Sequence, residues 1–167
     1  VVDESITSSG EVAGALNLSR PHQFYAGRGG GIGQGVAGAI GIQIAHPDKP
    51  VVCFSGDGSA MYSIQALWSA SHHNLPILFV IWANREYRVL KHNLDIYRLR
   101  YDSASNNPYP HMDLEGPIID FVALAQGHGV HAERIDDPEK IEAAVKKAFE
   151  SKSPTLLEIT IAGKNAN

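Results

Sequence analysis

An aspartate lies between two glycines at the point where an apolar run gives way to a helix-like pattern. The residues are Gly56-Asp57-Gly58-Ser59, and they follow the apolar run 50–55. The start of a helix offers unpaired N–H groups and the positive end of the helix dipole, which favour a phosphate group. A carboxylate beside a phosphate repels it unless a divalent cation bridges the two, as Mg²⁺ commonly does. The segment therefore predicts a metal-assisted phosphate site.

A second oxygen ligand is expected from a neighbouring strand. The apolar run 76–82 leads into Ala83-Asn84, one helix and one strand further along the chain than Asp57. Because the carboxyl ends of parallel strands meet at one edge of a sheet, Asp57 and Asn84 are expected at the same edge. Both residue types also form ordinary turns at strand ends, which is the alternative interpretation. The flanking glycines and the helix pattern after Asp57 favour the metal site.

The glycine cluster 27–35 allows a different chemistry. Gly33, Gly35 and Gly38 satisfy the G-x-G-x-x-G pattern of dinucleotide-binding folds, and Asp57 lies near the distance expected of a ribose-binding acid. That pattern requires a strand directly before its first glycine, and the residues there are themselves mostly glycine. Close packing of a helix on the sheet would also use these glycines, but it does not explain three in a row. A Rossmann-type nucleotide-binding domain is therefore the weaker alternative.

Strand and helix patterns alternate along the chain and must position these residues. The runs 50–55 and 76–82 lack the alternation of a half-exposed strand, which predicts a parallel sheet buried on both faces. The other strands are expected at 1–3, 24–26, 130–135 and 155–161. Helices are expected at 33–46, 59–73, 118–126 and 138–151, with a further helix-like stretch near Val12. This alternation predicts an α/β fold with a doubly wound, mostly parallel sheet flanked by helices.

One region, 88–115, shows neither pattern. Its polar core, SASNNPYPHMD, predicts a long loop, and loops of that length in compact domains are often functional. The chain shows no internal repeat and no low-complexity linker. Residues 1–167 are therefore expected to form a single domain.

Composition and charge argue against several classes of function. The chain has 167 residues, of which 44% are hydrophobic, and a formal net charge of -4. This balance gives no basic surface for nucleic acid or for a membrane, and the longest apolar run, 77–83, is too short to cross a bilayer. The single Cys53 excludes an intrachain disulfide and favours a reducing compartment. A cytoplasmic location is expected.

The GDGS segment and the later Asn84 resemble the thiamine diphosphate motif, which opens with GDG and closes with a double Asn. Further similarity lies in VVDESITSSG, FYAGRGGGIGQGVAGAIGIQIAHPDKPVVCFSGDGS, LPILFVIWAN and SPTLLEIT. Together these segments look like the diphosphate-binding domain of the decarboxylase and acetolactate synthase superfamily, with benzoylformate decarboxylase-like enzymes giving the most similar pattern. The resemblance covers nearly the whole chain. It implies thiamine diphosphate and Mg²⁺ as cofactors and a 2-keto acid as the substrate of the parent enzyme.

The resemblance also implies a set of metal ligands. They are the side chains of Asp57 and Asn84 and the main-chain carbonyl of Glu86. Departures from the family pattern surround them, because Ala83 replaces the first Asn, and Arg85 and Glu86 stand where glycine and a small hydroxyl residue are common. The metal-ligating Asn is retained, whereas Arg85 adds bulk beside the site and puts the substrate, and activity, in question.

Contacts to the cofactor are implied for six further residues. Those expected at the diphosphate are Gly58, Ser59, Tyr87 and Thr7. The carbonyl of Gly30 is expected to accept a hydrogen bond from the 4'-amino group of the cofactor, and Ile32 to support its bent conformation. The family's activating glutamate lies on a separate pyrimidine-binding domain, so no catalytic residue is expected in this chain.

The chain is accordingly expected to be the carboxyl-terminal third of a larger enzyme, or else one subunit of a split enzyme. It begins at Val1 without an initiator Met, which favours a fragment or a processed product. The expected partners are the pyrimidine-binding domain, in the same or another chain, and further copies in a homo-oligomer. A noncatalytic cofactor-binding fragment is the second alternative.

Overall fold

The computed structural model describes residues 1–27, 29–103 and 109–163. Within these ranges six strands form one sheet, and every pairing is parallel. In chain order the strands are β1 (Val2–Glu4), β2 (Tyr25–Ala26), β3 (Val51–Gly56), β4 (Ile77–Ala83), β5 (His131–Ile135) and β6 (Thr155–Thr160). Their order across the sheet is β2-β1-β3-β4-β6-β5. The predicted strands are confirmed, with their ends shifted by no more than one residue.

Helices connect the strands and cover both faces of the sheet. They are α1 (Ser9–Ala15), α2 (Gln34–Ala45), α3 (Asp57–Ala60), α4 (Ala66–His72), α5 (Arg88–Tyr101), α6 (Phe121–Gly127) and α7 (Ile141–Ser151). Short 3₁₀ turns at Ile6–Ser8 and Pro138–Lys140 precede α1 and α7. The predicted start of α6 at residue 118 is three residues too early, because the Asp120 side chain accepts the N–H of Ala123 and the helix begins at Phe121.

Two apolar clusters hold the layers together. The larger one joins inward residues of β1, β3 and β4 to α2, α4 and α6, with Phe79 and Phe121 among its largest side chains. The smaller one packs α7 on the opposite face, against β4, β5 and β6. Because helices cover both faces of a parallel sheet, the predicted doubly wound α/β architecture is confirmed.

Burial of the two central strands differs from the prediction in one respect. β4 is buried along nearly its whole length, as expected, whereas β3 alternates between buried and half-buried residues. Phe54 of β3 faces a groove that it shares with Val12 of α1 and with Trp82. Val52 and Phe54 pack against the smaller cluster but stay half-buried, so the expected burial of β3 on both faces is incomplete.

The predicted helix 59–73 is interrupted. The chain forms α3, then a series of turns at 61–65, and then α4. Within the turns the N–H groups bond to the third preceding carbonyl, as from Tyr62 to Ser59 at 3.2 Å and from Ser63 to Ala60 at 3.2 Å. Such bonds tighten the backbone and end an α-helix. Asp57 therefore begins a helix of only four residues, whose dipole is small.

The predicted loop 88–115 is wrong over its first half, which forms α5. This helix was not visible in the sequence because its apolar residues face outward, with Leu99 88% exposed, while its buried residue is Lys91. Part of the SASNNPYPHMD segment, residues 104–108, lies outside the described residues. In the described part of the chain, no helix combines the length and the apolar character needed to span a membrane.

Candidate functional site

The carboxyl ends of β3 and β4 bring the two predicted side-chain ligands to one edge of the sheet. Gly56 is paired with Trp82 at the end of the ladder, so Asp57 and Asn84 leave neighbouring strands at the same level. The turn after β4 is tied directly to the residue after β3, because the N–H of Arg85 donates to Asp57 Oδ2 at 2.6 Å. The prediction that Asp57 and Asn84 share an edge is confirmed.

The Asp57 carboxylate is buried and accepts a second backbone donor. Its Oδ1 accepts the N–H of Gly58 at 2.8 Å. Burial raises the pKa of Asp57 above its ordinary value, and the backbone donors of Arg85 and Gly58 oppose this rise only in part. Among the described residues no cationic side chain forms an ion pair with Asp57. A bound cation would therefore stabilise the ionised form of this carboxylate.

The turn after β4 has an unusual backbone. Asn84 Oδ1 accepts the N–H of Glu86 at 3.0 Å, and Arg85 between them adopts a left-handed conformation with φ of 58°. A non-glycine residue in this conformation costs on the order of 1 kcal/mol. The turn nevertheless aims the Arg85 N–H at Asp57, so the strained residue supplies the link between the two strand ends.

A cavity of about 360 Å³ opens at this edge of the sheet. Eight of the nine residues singled out in the sequence line it, and Gly30 does not. The eight are Thr7, Ile32, Asp57, Gly58, Ser59, Asn84, Glu86 and Tyr87. Residues from four separate parts of the chain thus meet in one cavity.

A side chain at Gly58 would collide with the Tyr87 ring in its present position. A Cβ atom placed there would lie 2.8 Å from Cε1 of the Tyr87 ring. Trp82 also lines the cavity, stacks on Phe54 at 5.7 Å between ring centroids, and donates through Nε1 to Ser5 Oγ at 3.2 Å. These contacts fix the walls of the cavity by packing from both strand ends.

A buried glutamate at the end of β1 occupies the start of α2. Glu4 Oε1 accepts the N–H groups of Gly33 and Gln34 at 2.8 and 2.9 Å, and Oε2 accepts that of Gly35 at 3.1 Å. In a dinucleotide-binding fold this helix start receives the pyrophosphate. Here the chain's own carboxylate fills the position, which removes the structural basis of the Rossmann alternative.

Residues 29–33 of the glycine cluster form a loop that leads into α2. Gly29, Gly30 and Gly33 have φ values of 73°, 72° and 98°, which L side chains rarely adopt. Gly30 is exposed and lies outside the cavity, whereas Ile32 reaches it. The structure therefore brings one of the two residues expected at the ring end of the cofactor into the cavity.

Sequence reasoning missed two buried ionic residues near the cavity. Glu4 had a visible signal, since it is a charged residue at the end of an apolar strand. Lys91 forms ion pairs with Glu86 and Asp113 while being 1% exposed itself. The sequence offered no signal for Lys91 except that it lies in the segment 88–115, which shows no helix or strand pattern. No group of three His, Cys, Asp or Glu side chains able to hold a metal ion occurs among the described residues.

Comparison with known proteins places the chain in one family. Residues 6–159 match the family described as "Thiamine pyrophosphate enzyme, C-terminal TPP binding domain". Thiamine pyrophosphate (TPP) is the same compound as thiamine diphosphate. The chain is 35% identical to benzoylformate decarboxylase of Pseudomonas aeruginosa over 144 residues, covering 86% of this chain and 26% of the relative. It is 31% identical to the large subunit of acetolactate synthase isozyme 2 of Escherichia coli over 145 residues, covering 86% of this chain and 25% of the relative.

A solved structure supports the same assignment. The chain superimposes on the thiamine diphosphate-dependent 4-hydroxybenzoylformate decarboxylase of Rhodococcus jostii with a TM-score of 0.89 and 33% sequence identity. The alignment covers 99% of this chain and 30% of that enzyme. The chain thus spans between a quarter and a third of the length of the relatives named here. By sequence and by structure, it belongs to the thiamine pyrophosphate enzyme family and corresponds to the C-terminal domain that binds the cofactor.

Proposed function

We propose that this chain anchors the diphosphate of thiamine diphosphate through Mg²⁺ at the carboxyl ends of β3 and β4. One observation carries the proposal: the N–H of Arg85 binds the Asp57 carboxylate, which joins the GDGS segment to the turn that contains Asn84 and Glu86. The two candidate side-chain ligands and the candidate carbonyl are thereby held in a single backbone arrangement beside one cavity.

The donor atoms suit Mg²⁺. The side chains of Asp57 and Asn84 and the main-chain carbonyl of Glu86 offer three oxygens, and Mg²⁺ usually combines a few protein oxygens with phosphate oxygens and water. Asp57 supplies the negative charge, and its burial favours pairing with a cation. These features support the ligand set that the family resemblance implies.

Residues around the metal position would hold the diphosphate itself. Ser59 and Tyr87 line the same cavity as Asp57, and so does the exposed Thr7, which lies in the 3₁₀ turn after β1. The N–H of Gly58 is engaged by Asp57, so Gly58 would contribute by allowing close approach rather than by donating a hydrogen bond. Ile32 would contact the cofactor farther from the metal, with Gly30 in the adjoining loop.

The proposed parent enzyme is a 2-keto-acid decarboxylase or carboligase. Thiamine diphosphate supplies the electron sink that such reactions need, and the protein supplies binding and orientation. In this chain the named residues bind and orient, and none is assigned to proton transfer at the reacting atoms. We assign that step to a pyrimidine-binding domain of the same or another chain, within a homo-oligomer.

Titration calorimetry on the full-length protein tests the proposal. Thiamine diphosphate is titrated with Mg²⁺ present and again in excess EDTA. We expect the affinity to fall at least about 100-fold without the metal, since the two diphosphate charges then face the Asp57 carboxylate directly. Equal affinity in EDTA would reject the metal site, and binding of NADH in place of thiamine diphosphate would revive the dinucleotide alternative.

Turnover is measured separately. Release of CO₂ from 2-keto acids by the full-length protein, loaded with thiamine diphosphate and Mg²⁺, distinguishes an enzyme from a noncatalytic cofactor-binding protein. We expect release. Metal-dependent binding without any release across a panel of aliphatic and aromatic 2-keto acids would support the noncatalytic alternative, in which the substitutions at Ala83 and Arg85 have removed activity.

A further inference from the structure

Lys91 of α5 lies under the turn that carries the candidate metal ligands. Its side chain is 1% exposed, and its Nζ contacts Glu86 Oε2 and, at 2.5 Å, Asp113 Oδ1. A lysine is rarely buried unless it is paired, so both ion pairs are needed to hold it there. The buried cation therefore joins three segments: the turn after β4, the helix α5 and the segment around Asp113.

The segment around Asp113 runs beside this turn. The N–H of Tyr87 donates to the carbonyl of Met112 at 2.8 Å, and the N–H of Leu114 donates to the carbonyl of Arg85 at 2.7 Å. Glu86 and Asp113 form the antiparallel bridge between the two segments. Their carboxylates would repel each other across the bridge, and Lys91 neutralises that repulsion.

The Glu86 carboxylate is occupied on both oxygens. Oε2 pairs with Lys91, and Oε1 lies 3.4 Å from Nη1 of Arg88. A glutamate next to Asp57 and Asn84 would otherwise be a natural Mg²⁺ ligand through its side chain. The two cations divert this carboxylate, so that Glu86 can present its main-chain carbonyl to the metal position instead.

We propose that Lys91 is a positioning residue for the metal and diphosphate site. It neutralises Glu86 and Asp113, fixes the turn from Asn84 to Tyr87 against the segment around Asp113, and keeps the Glu86 carboxylate away from the metal. This role rests on the proposed Mg²⁺ site, and Lys91 itself is not among the residues that line the cavity.

The test compares three variants of the full-length protein with the wild type. Lys91→Met keeps the length of the side chain and removes its charge, Lys91→Arg keeps the charge, and the double variant K91M/E86T removes the buried carboxylate together with its partner. Lys140→Met serves as the control, because Lys140 is 73% exposed and forms a long surface ion pair with Asp137, at 3.8 Å. Calorimetry gives the affinity for thiamine diphosphate at saturating Mg²⁺ and the dependence of that affinity on Mg²⁺ concentration.

We expect K91M to weaken cofactor binding at least about 10-fold and to raise the Mg²⁺ concentration needed for half-maximal binding, because the buried Glu86 carboxylate then lies beside the site without its lysine. K91R should recover binding to within about threefold of the wild type, and K91M/E86T should recover most of the loss. Wild-type affinity in K91M would overturn the inference. A double variant as weak as K91M would also overturn it, since the loss would then come from packing alone.

Hydrogen exchange without cofactor or metal provides an independent readout. The amide groups of Tyr87 and Leu114, which join the two segments, should exchange at least about 10-fold faster in K91M than in the wild type or K140M. Unchanged exchange would overturn the positioning role. If the wild type itself shows no metal-dependent binding, the proposed function fails, and the role of Lys91 toward the metal fails with it. If the wild type binds normally and K91M is unaffected, only the role of Lys91 fails.

Discussion

Two buried carboxylates stand at the carboxyl ends of adjacent strands, and the fold treats them differently. Glu4 ends β1 and Asp57 follows β3, and each is 4% exposed. Glu4 accepts three backbone N–H groups from the start of α2. Asp57 accepts two, from Gly58 and Arg85, out of about four acceptor positions that a carboxylate offers. The start of a helix faces the first carboxylate, whereas a cavity opens beside the second.

The helices that follow explain the difference. α2 has twelve residues, and its N–H groups and dipole suit the Glu4 charge. α3 has four residues, so it offers Asp57 little compensation, and burial raises the pKa of this carboxyl. A carboxylate that is buried without sufficient donors is suited to a cation. The surroundings, a twelve-residue helix at Glu4 and a cavity at Asp57, therefore separate the structural carboxylate from the candidate ligand.

The largest effect is expected from Glu4→Ala. The substitution leaves three N–H groups at the start of α2 without their acceptor and should lower the free energy of unfolding by about 3 to 5 kcal/mol. Urea denaturation followed by circular dichroism measures it. Glu11→Ala is the control, because Glu11 is exposed on α1. A loss no greater than in the control would show that Glu4 is not the structural anchor of the two.

Asp57→Ala is expected to act on binding instead. Loss of the charged ligand should weaken metal-dependent binding of thiamine diphosphate at least about 100-fold, while the free energy of unfolding changes by about 1 kcal/mol or less. Calorimetry on the full-length protein checks both the affinity and its Mg²⁺ dependence. Asp48→Ala is the control, since Asp48 is exposed in the turn before β3, at the opposite edge of the sheet. Retained affinity in D57A would remove Asp57 from the ligand set.

The same variant has an expected pH signature in the absence of metal. Because burial raises the pKa of Asp57, the protonated form is favoured in the folded chain relative to the unfolded one. Its contribution to stability is present below the unfolded pKa, about 3.9, and is lost as the pH rises through the raised folded value. D57A lacks this contribution. As the pH rises through that window, the wild type should therefore lose stability relative to D57A. Urea midpoints at a series of pH values measure the shift.

Local sequence was sufficient to predict which edge of the sheet carries Asp57 and Asn84. The apolar runs that become β3 and β4 determine where each strand ends, and the polar residue at each end follows directly. A parallel sheet then brings Asp57 and Asn84 to one edge without any further information. The longer strands β3 to β6 were predictable for the same reason, because apolar runs and turn signals are local properties of the sequence.

The remaining features depend on contacts between distant residues. Glu4 meets donors that lie about thirty residues further along the chain, and Lys91 meets Asp113 across a segment that shows no periodicity. α5 escaped prediction because its buried residue is a lysine, so a helix with exposed Leu99 and Tyr97 did not show an apolar face. The break between α3 and α4 is different, because it consists of local turns at 61–65 in a segment whose residues favour a helix.

The smallest effect, and the sharpest test of the comparison, is expected from Gly58→Ala. The new Cβ would meet the Tyr87 ring at 2.8 Å, but Tyr87 is only half-buried, so the ring can move with little cost to the fold. We expect the free energy of unfolding to change by less than about 1 kcal/mol and the affinity for thiamine diphosphate to fall about 10-fold, because both residues line the cavity. Gly38→Ala in α2 is the control: a Cβ there meets nothing within 4 Å, and the helix should gain up to about 1 kcal/mol. Should G58A destabilise the chain as much as E4A while binding stays intact, the Asp57 edge would be structural, and the distinction between the two carboxylates would be lost.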